Sequence, residues 1–245
     1  VRVERIDRRV LAGVLFRDAT TRLPVSDVLE VGAAGARVVR NRAGLYVVRS
    51  APGLEAYARS FPDPPAAPAV GTVPLELTVS DPGGAYLARR FTLRLPRDPG
   101  PAAAESVFRP AEVALYPSPA APTLAGWALV RVSVTGDRLV PVAGALVAVV
   151  PAGGGAALGA GMTDARGEAL VGVTGVPVIL WNNAAGPVLA DVLAANLEVR
   201  FDPAAVAPPD PDALAALPAA PLATPAAVGL AAGRTVVARL TVVRP

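Results

Sequence analysis

Between residues 73 and 96 the chain alternates with a period of two. In LELTV, Leu75, Leu77 and Val79 fall on one side, and Glu76 and Thr78 on the other. In RFTLRL, Phe91, Leu93 and Leu95 alternate with Thr92 and Arg94. A strand turns successive side chains to opposite faces, so both runs predict strands with one buried face. Pro82-Gly83-Gly84 between them predicts a hairpin turn. Upstream, VLAGVLF (10–16) predicts a first strand and DATTRLP (18–24) a turn. VSDVLEV and ARVVRN carry two more strands, RAG (42–44) turns the chain, and LYVVRS (45–50) leads back. FPDPPAAPAVG (61–71) predicts a surface loop, because prolines so close together cannot donate ladder hydrogen bonds.

The second half reads in the same way. From 128 to 177, valine-rich alternating runs are cut by GDR, by PAGGG and by TDARG, so short strands and tight turns follow one another. RDPGPAAAES (97–106) predicts a linker. In the segment after it, 107–122, Val113 and Leu115 share one side of a short strand flanked by prolines. The late section 201–225 is irregular, with one short helix expected at 211–217, capped by Asp210 and opened by Pro211. GRTVVARLTVVRP (233–245) closes as a strand containing Val237, Leu240 and Val242. The alanine-rich stretches around it also suit helix, and strand is the preferred reading. The expected organisation is an arm at 1–9, a β-sandwich at 10–99, a linker with a short docking strand at 100–123, and a second β-sandwich at 124–245.

An internal repeat is visible as residues. Pro24-Val25 corresponds to Pro141-Val142 and Gly44 to Gly167, with six more residues between the marks in the second copy. Chance likeness between valine-rich strands and true duplication both remain open at this level. In either case the glycine before the last strand of the motif is expected at positive φ.

Composition narrows the chemistry. Hydrophobic residues make up 53% of the 245, enough for real cores despite 27 prolines and 23 glycines. All 23 basic residues are arginine, and the chain has no lysine, glutamine, histidine or cysteine. A GC-rich bacterial genome accounts for that bias, and selection for thermal stability is the second reading. With no cysteine there are no disulfides and no thiolate chemistry. With no histidine there is no histidine triad or histidine metal site, and with no lysine no Walker loop. No metal and no cofactor is expected.

The net charge is +3, and residues 1–60 hold eleven arginines against six acids. Glu4 and Asp7 interrupt the run Arg2, Arg5, Arg8, Arg9, and aromatics are only 4%, so a nucleic-acid face is not expected. These four arginines, with Val1, Val3 and Ile6 beside them, are instead the candidate subunit contact: an extended segment able to pair with a neighbour's sheet edge. Two uncharged runs, 139–163 and 169–190, have membrane-span length, but prolines, glycines and asparagines interrupt both, so strands are expected and no membrane span. VRVERIDRRV lacks the apolar core of a secretory signal, although a leader already removed is compatible with a first residue that is not Met. A cytoplasmic assembly is therefore preferred over secretion.

In the second half, Pro141-Val142-Ala143-Gly144-Ala145-Leu146-Val147, then Thr163-Asp164-Ala165-Arg166-Gly167, then Ala169-Leu170-Val171 resemble the carboxypeptidase regulatory-like and transthyretin-like modules. The resemblance covers about fifty residues. It implies an immunoglobulin-like β-sandwich in an accessory role. The zinc peptidase domain of that family needs histidine ligands, which are absent here. More loosely, residues 89–99, 108–122 and 230–235 resemble small proteins encoded among components of phage-tail-like contractile injection systems.

Together these features predict an all-β chain of two immunoglobulin-like or transthyretin-like β-sandwich domains with Pro-rich linkers. No catalytic residue is expected. Asp137, Asp164 and Glu168 lie in turns, and the Asp residues beside prolines (63, 81, 98, 202, 210, 212) suit caps better than calcium sites. Trp127, Tyr46, Tyr57, Tyr86 and Tyr116 sit among apolar residues and suit packing. Trp181, Asn182 and Asn183 are the candidate binding loop. The expected function is a non-enzymatic structural subunit of a larger assembly, possible homo-oligomer contacts included, with a contractile tail-like particle named first. A carbohydrate or cell-surface binding module is the alternative.

Overall fold

The computed structural model describes residues 10–59, 65, 67–176, 192–224 and 226–243. The candidate contact at Arg2, Arg5, Arg8 and Arg9 and the candidate loop at Trp181, Asn182 and Asn183 lie outside the described residues. The chain is all-β and divides into two compact units. Among the described residues, the first holds positions up to Arg17, then 24–82 and 90–114. The second holds 18–23, 83–89 and everything from Leu115 on.

The first unit contains β1 (Ala12–Asp18), β2 (Glu30–Gly32), β3 (Arg37–Arg40), β4 (Tyr46–Ser50), a short helix α1 (Glu55–Arg59), β5 (Val73–Ser80), β6 (Arg89–Leu95) and β7 (Ala111–Leu115), except that the end residues Asp18, Arg89 and Leu115 belong to the second unit. They form two sheets, in the orders β3-β4-β1-β7 and β2-β5-β6. The expected alternation is realised: Leu75, Leu77, Val79, Phe91, Leu93 and Leu95 are buried. Phe16 packs edge-on against Tyr46 at 5.3 Å and Phe91 at 5.7 Å. The Tyr46 hydroxyl accepts from the Leu29 N–H at 2.7 Å and donates to the Leu29 carbonyl at 3.1 Å, so its polar end is satisfied inside the core. The stretch after β6 closes on itself: buried Arg97 donates to Glu105 at 2.8 Å and to the Ser106 carbonyl at 3.1 Å.

The second unit contains β8 (Ala128–Thr135), β9 (Leu146–Pro151), β10 (Gly159–Met162), β11 (Glu168–Val173), β12 (Leu193–Arg200), α2 (Pro211–Ala215), β13 (Ala227–Leu230) and β14 (Thr235–Thr241). The sheets run β11-β8-β14 and β10-β9-β12-β13. In the first sheet Val130 lies opposite Val171 on one side and Val236 on the other; the pairing with β14 is parallel. Val130, Val132, Val147, Val149, Val171, Leu197 and Val199 form the centre of an apolar core. The uncharged run at 139–163 is a turn and two strands, β9 and β10. Among the described residues no helix is long and apolar enough to cross a membrane.

The two units follow one plan. In each, the first strand lies between the fourth and the last, and the second strand pairs with the fifth, which neighbours the sixth. The turns repeat atom for atom. Asn41 Oδ1 accepts from the N–H groups of Ala43 and Leu45, both at 2.9 Å; Asp164 Oδ1 accepts from Arg166 at 2.8 Å and Glu168 at 3.0 Å. Gly44 and Gly167 close these turns at φ +81° and +74°, as expected. At the other marks, Val25 N–H donates to Phe16 at 2.9 Å and Val142 N–H to Val134 at 3.0 Å. The plans part at the third strand: β3 joins β4, whereas β10 joins β9 in the opposite sheet.

Candidate functional site

The alternation of β6 puts Arg89 in the same row as Phe91, Leu93 and Leu95, and its side chain is 1% exposed. A buried guanidinium needs anionic partners. They come from α2. Asp210 caps that helix, its Oδ1 accepting the Asp212 N–H at 3.0 Å, and Pro211 occupies the first turn. Arg89 Nη2 pairs with Asp210 Oδ1 at 3.4 Å and makes a short contact with Asp212 Oδ2. Burial raises the Tyr116 phenol above its ordinary pKa; the Arg89 charge opposes this and Asp212 adds to it. Leu146, Met162 and Leu214 form a small apolar cluster, with Leu87 and Tyr116 packed against it.

Beside this pair lies a cleft of about 280 Å³ within the second unit. Leu87, Ala88 and Met162 contribute apolar surface, as do Val206, Ala207 and Pro209. Because Arg89 follows Leu87-Ala88 and Asp210 follows Pro209, their ion pair ties the two stretches of chain that bound the cleft. Asp164 and Asp202 also line it. Each uses Oδ1 on backbone N–H groups, Asp202 holding the Ala204 N–H at 2.8 Å. For Asp164, burial pushes the pKa up, but the N–H groups of Glu168 and Arg166 and the Arg166 guanidinium outweigh it, and the net shift is down.

Two or three residues before Ala143 and Gly144 of the cleft stands the turn between β8 and β9. Arg138 and Leu139 are non-glycine residues at φ +57° and +60°, a conformation costing roughly 1–2 kcal/mol each. The turn presents Leu139 76% exposed and Val140 53% exposed, with Asp137, Arg138 and Pro141 also exposed. Among the described residues Arg138 has no ion-pair partner.

The other sequence candidates fall as follows. Asp164 belongs to a turn, Glu168 is not in it but opens β11, Asp137 opens an exposed turn, and Asp98, Asp202 and Asp210 cap backbone N–H groups. Tyr46 and Tyr57 are buried. Trp127 is half-buried, and Tyr86 donates to Asp18 at 3.1 Å. Among the described residues no group of three or more acidic side chains is placed to hold a metal. Sequence reasoning missed Arg89 with Asp210 and Asp212, although the phase of Arg89 with Phe91 was a readable signal of burial.

Fold and site together define a tandem β-sandwich protein whose second unit carries an ion-paired apolar cleft. No protein-family model matches the chain, and no curated protein matches it. Among solved structures it is similar to the minor pilin of Streptococcus agalactiae, with 10% identity, TM-score 0.31, and coverage of 85% of this chain and 67% of the pilin. It is also similar to the Bacillus anthracis TIE protein, with 10% identity, TM-score 0.28, and coverage of 99% of this chain and 42% of that one. The chain spans less than half the length of the second. Likenesses this remote carry no function across.

Proposed function

We propose that the chain is a non-enzymatic structural subunit of a larger protein assembly. The supporting observation is the edge of β14 over 235–239, ahead of the end where residues 221–224 pair with Thr241 and Val243. Arg234 and Val242 direct backbone groups to β8, and strand residues alternate, so Thr235, Val237 and Arg239 turn theirs outward. All three are exposed, Val237 at 69%. An exposed edge of this kind, with Val237 as its apolar position, is a template for a strand from another chain. Residues 1–9 supply such a strand, with Val1, Val3 and Ile6 as anchors and Arg2, Arg5, Arg8 and Arg9 for carboxylates on the partner. A contractile, tail-like particle is the assembly named first, on the resemblance of residues 89–99, 108–122 and 230–235.

Isolation from native cells should recover the protein in a high-mass particle. Deleting residues 1–8 should leave the melting temperature nearly unchanged while abolishing that recovery. A free monomer in native extracts would refute the proposal; unfolding of the truncated chain would show that residues 1–9 belong to the first sandwich.

A further inference from the structure

Building on the subunit reading, we infer that the second unit pairs with a second copy of itself, the β8–β9 turn of each copy seated in the cleft of the other. Three observations carry this. The turn holds Arg138 and Leu139 in the left-handed region and spends that strain on presenting Leu139 and Val140 to solvent. Leu139 and Val140 are adjacent, so the turn displays two large apolar side chains together.

The cleft matches them in size and charge. A cavity of about 150 Å³ takes a benzene, and this cleft has about 280 Å³, so the branched ends of Leu139 and Val140 fit together. Arg138, without an ion-pair partner among the described residues, is an immediate neighbour of those side chains in sequence. Asp164 and Asp202 line the cleft, and their bonds to backbone N–H groups use Oδ1. Asp202 Oδ2 therefore stands ready for a guanidinium.

Placement suits a two-fold contact. Turn residues 138–140 and cleft residues Ala143 and Gly144 belong to the same connection between β8 and β9. Knob and cleft thus lie at one end of one unit, and a two-fold rotation brings each onto the other: an isologous contact that closes on itself. Two such seats make a small interface, so a dissociation constant of roughly 10–100 μM is expected.

Sedimentation velocity on the full chain, up to about 100 μM, reads this directly. Wild type should show a reversible monomer–dimer equilibrium. Leu139→Asp in the turn and Val206→Asp at the cleft should each weaken it at least about tenfold with unchanged circular dichroism melts. Arg138→Glu should weaken it too, and adding Asp202→Arg in the same chain should restore it, since the charges are then exchanged. Because the chain has no cysteine, Leu139→Cys with Ala207→Cys should give a covalent dimer on mild oxidation and nothing else. A wild type that stays monomeric, or a Leu139→Asp variant that dimerises as well as wild type, overturns the inference. So does dimerisation lost only on deleting residues 1–8, which would make the arm the occupant. Recovery of Leu139→Asp in a native high-mass particle alongside undiminished dimerisation would leave the subunit reading standing. A wild-type dimer found in no particle would sink that reading and leave the two-fold contact intact.

Discussion

Gly44 and Gly167 occupy equivalent places in two copies of one turn, yet they differ in how replaceable they are. Both have positive φ, so alanine at either costs roughly 1–2 kcal/mol of backbone strain. A Cβ on Gly44 meets nothing nearer than Arg40 Nη2 at 3.7 Å, whereas on Gly167 it would come within 2.5 Å of the Val134 carbonyl oxygen. Overpacking adds about 1–3 kcal/mol, so in urea denaturation Gly167→Ala should lose about twice the stability that Gly44→Ala loses. Asp164, in the same turn, gives a pH dependence. Folding lowers its pKa, so the unfolded chain binds this proton more readily. Its contribution is complete above about pH 4 and fades as pH falls below that. Melting temperature against pH should drop more shallowly on the acid side in Asp164→Asn than in wild type. Tyr116 works at the other extreme. Its pKa is raised by burial, so the stability it gives is complete below about pH 10 and is lost as pH rises through the folded pKa. Alkaline absorbance titration should show a late phenolate step that Tyr116→Phe removes.

Helix α2 is too short to stand on its own propensity; its cap and the pairing with Arg89 hold it. Removing both acids, with Asp210→Asn and Asp212→Asn together, takes two carboxylates from a buried guanidinium and should cost about 1–3 kcal/mol, Asp212 being largely exposed. Arg89→Met removes the charge that must be compensated and should cost far less, which thermal melts of the two variants would compare. These elements also show what the sequence made legible. β5 and β6 were plain because Leu77, Val79, Phe91 and Leu93 each have a polar neighbour on either side. The Asp210-Pro211 helix start was plain because cap and proline are local signals. β12 was not, because Ala194, Ala195 and Asn196 near its start are small or polar residues of weak strand preference, and its pairing partner β9 lies far away in sequence. The choice of β10 for β9 and of β3 for β4 was equally hidden, since either pairing satisfies the same alternation. The cleft was invisible for a related reason: 121 residues separate Arg89 from Asp210, and no local pattern announces such a partner. The candidate contact and the candidate loop read from sequence fall outside the described residues and gain no geometry.

At the scale of the molecule, the second unit is assembled from three stretches of chain, one of them Gly83–Arg89. A fragment of residues 115–245 keeps all of its sheets but loses Leu87, Ala88 and Arg89, and with them part of the cleft and the partner of Asp210 and Asp212. It should melt at a lower temperature than the same unit in the intact chain, as circular dichroism can measure, and the full chain with Arg89→Met should fall between them. Repeated modules are ordinarily traded between genes as cassettes, with a single breakpoint in the connecting segment. Here a break just before Leu115 would deliver a second half without Arg89, the arginine that pairs with Asp210 and Asp212. The second copy of the plan therefore depends on a short stretch, Gly83–Arg89, encoded ahead of its own strands.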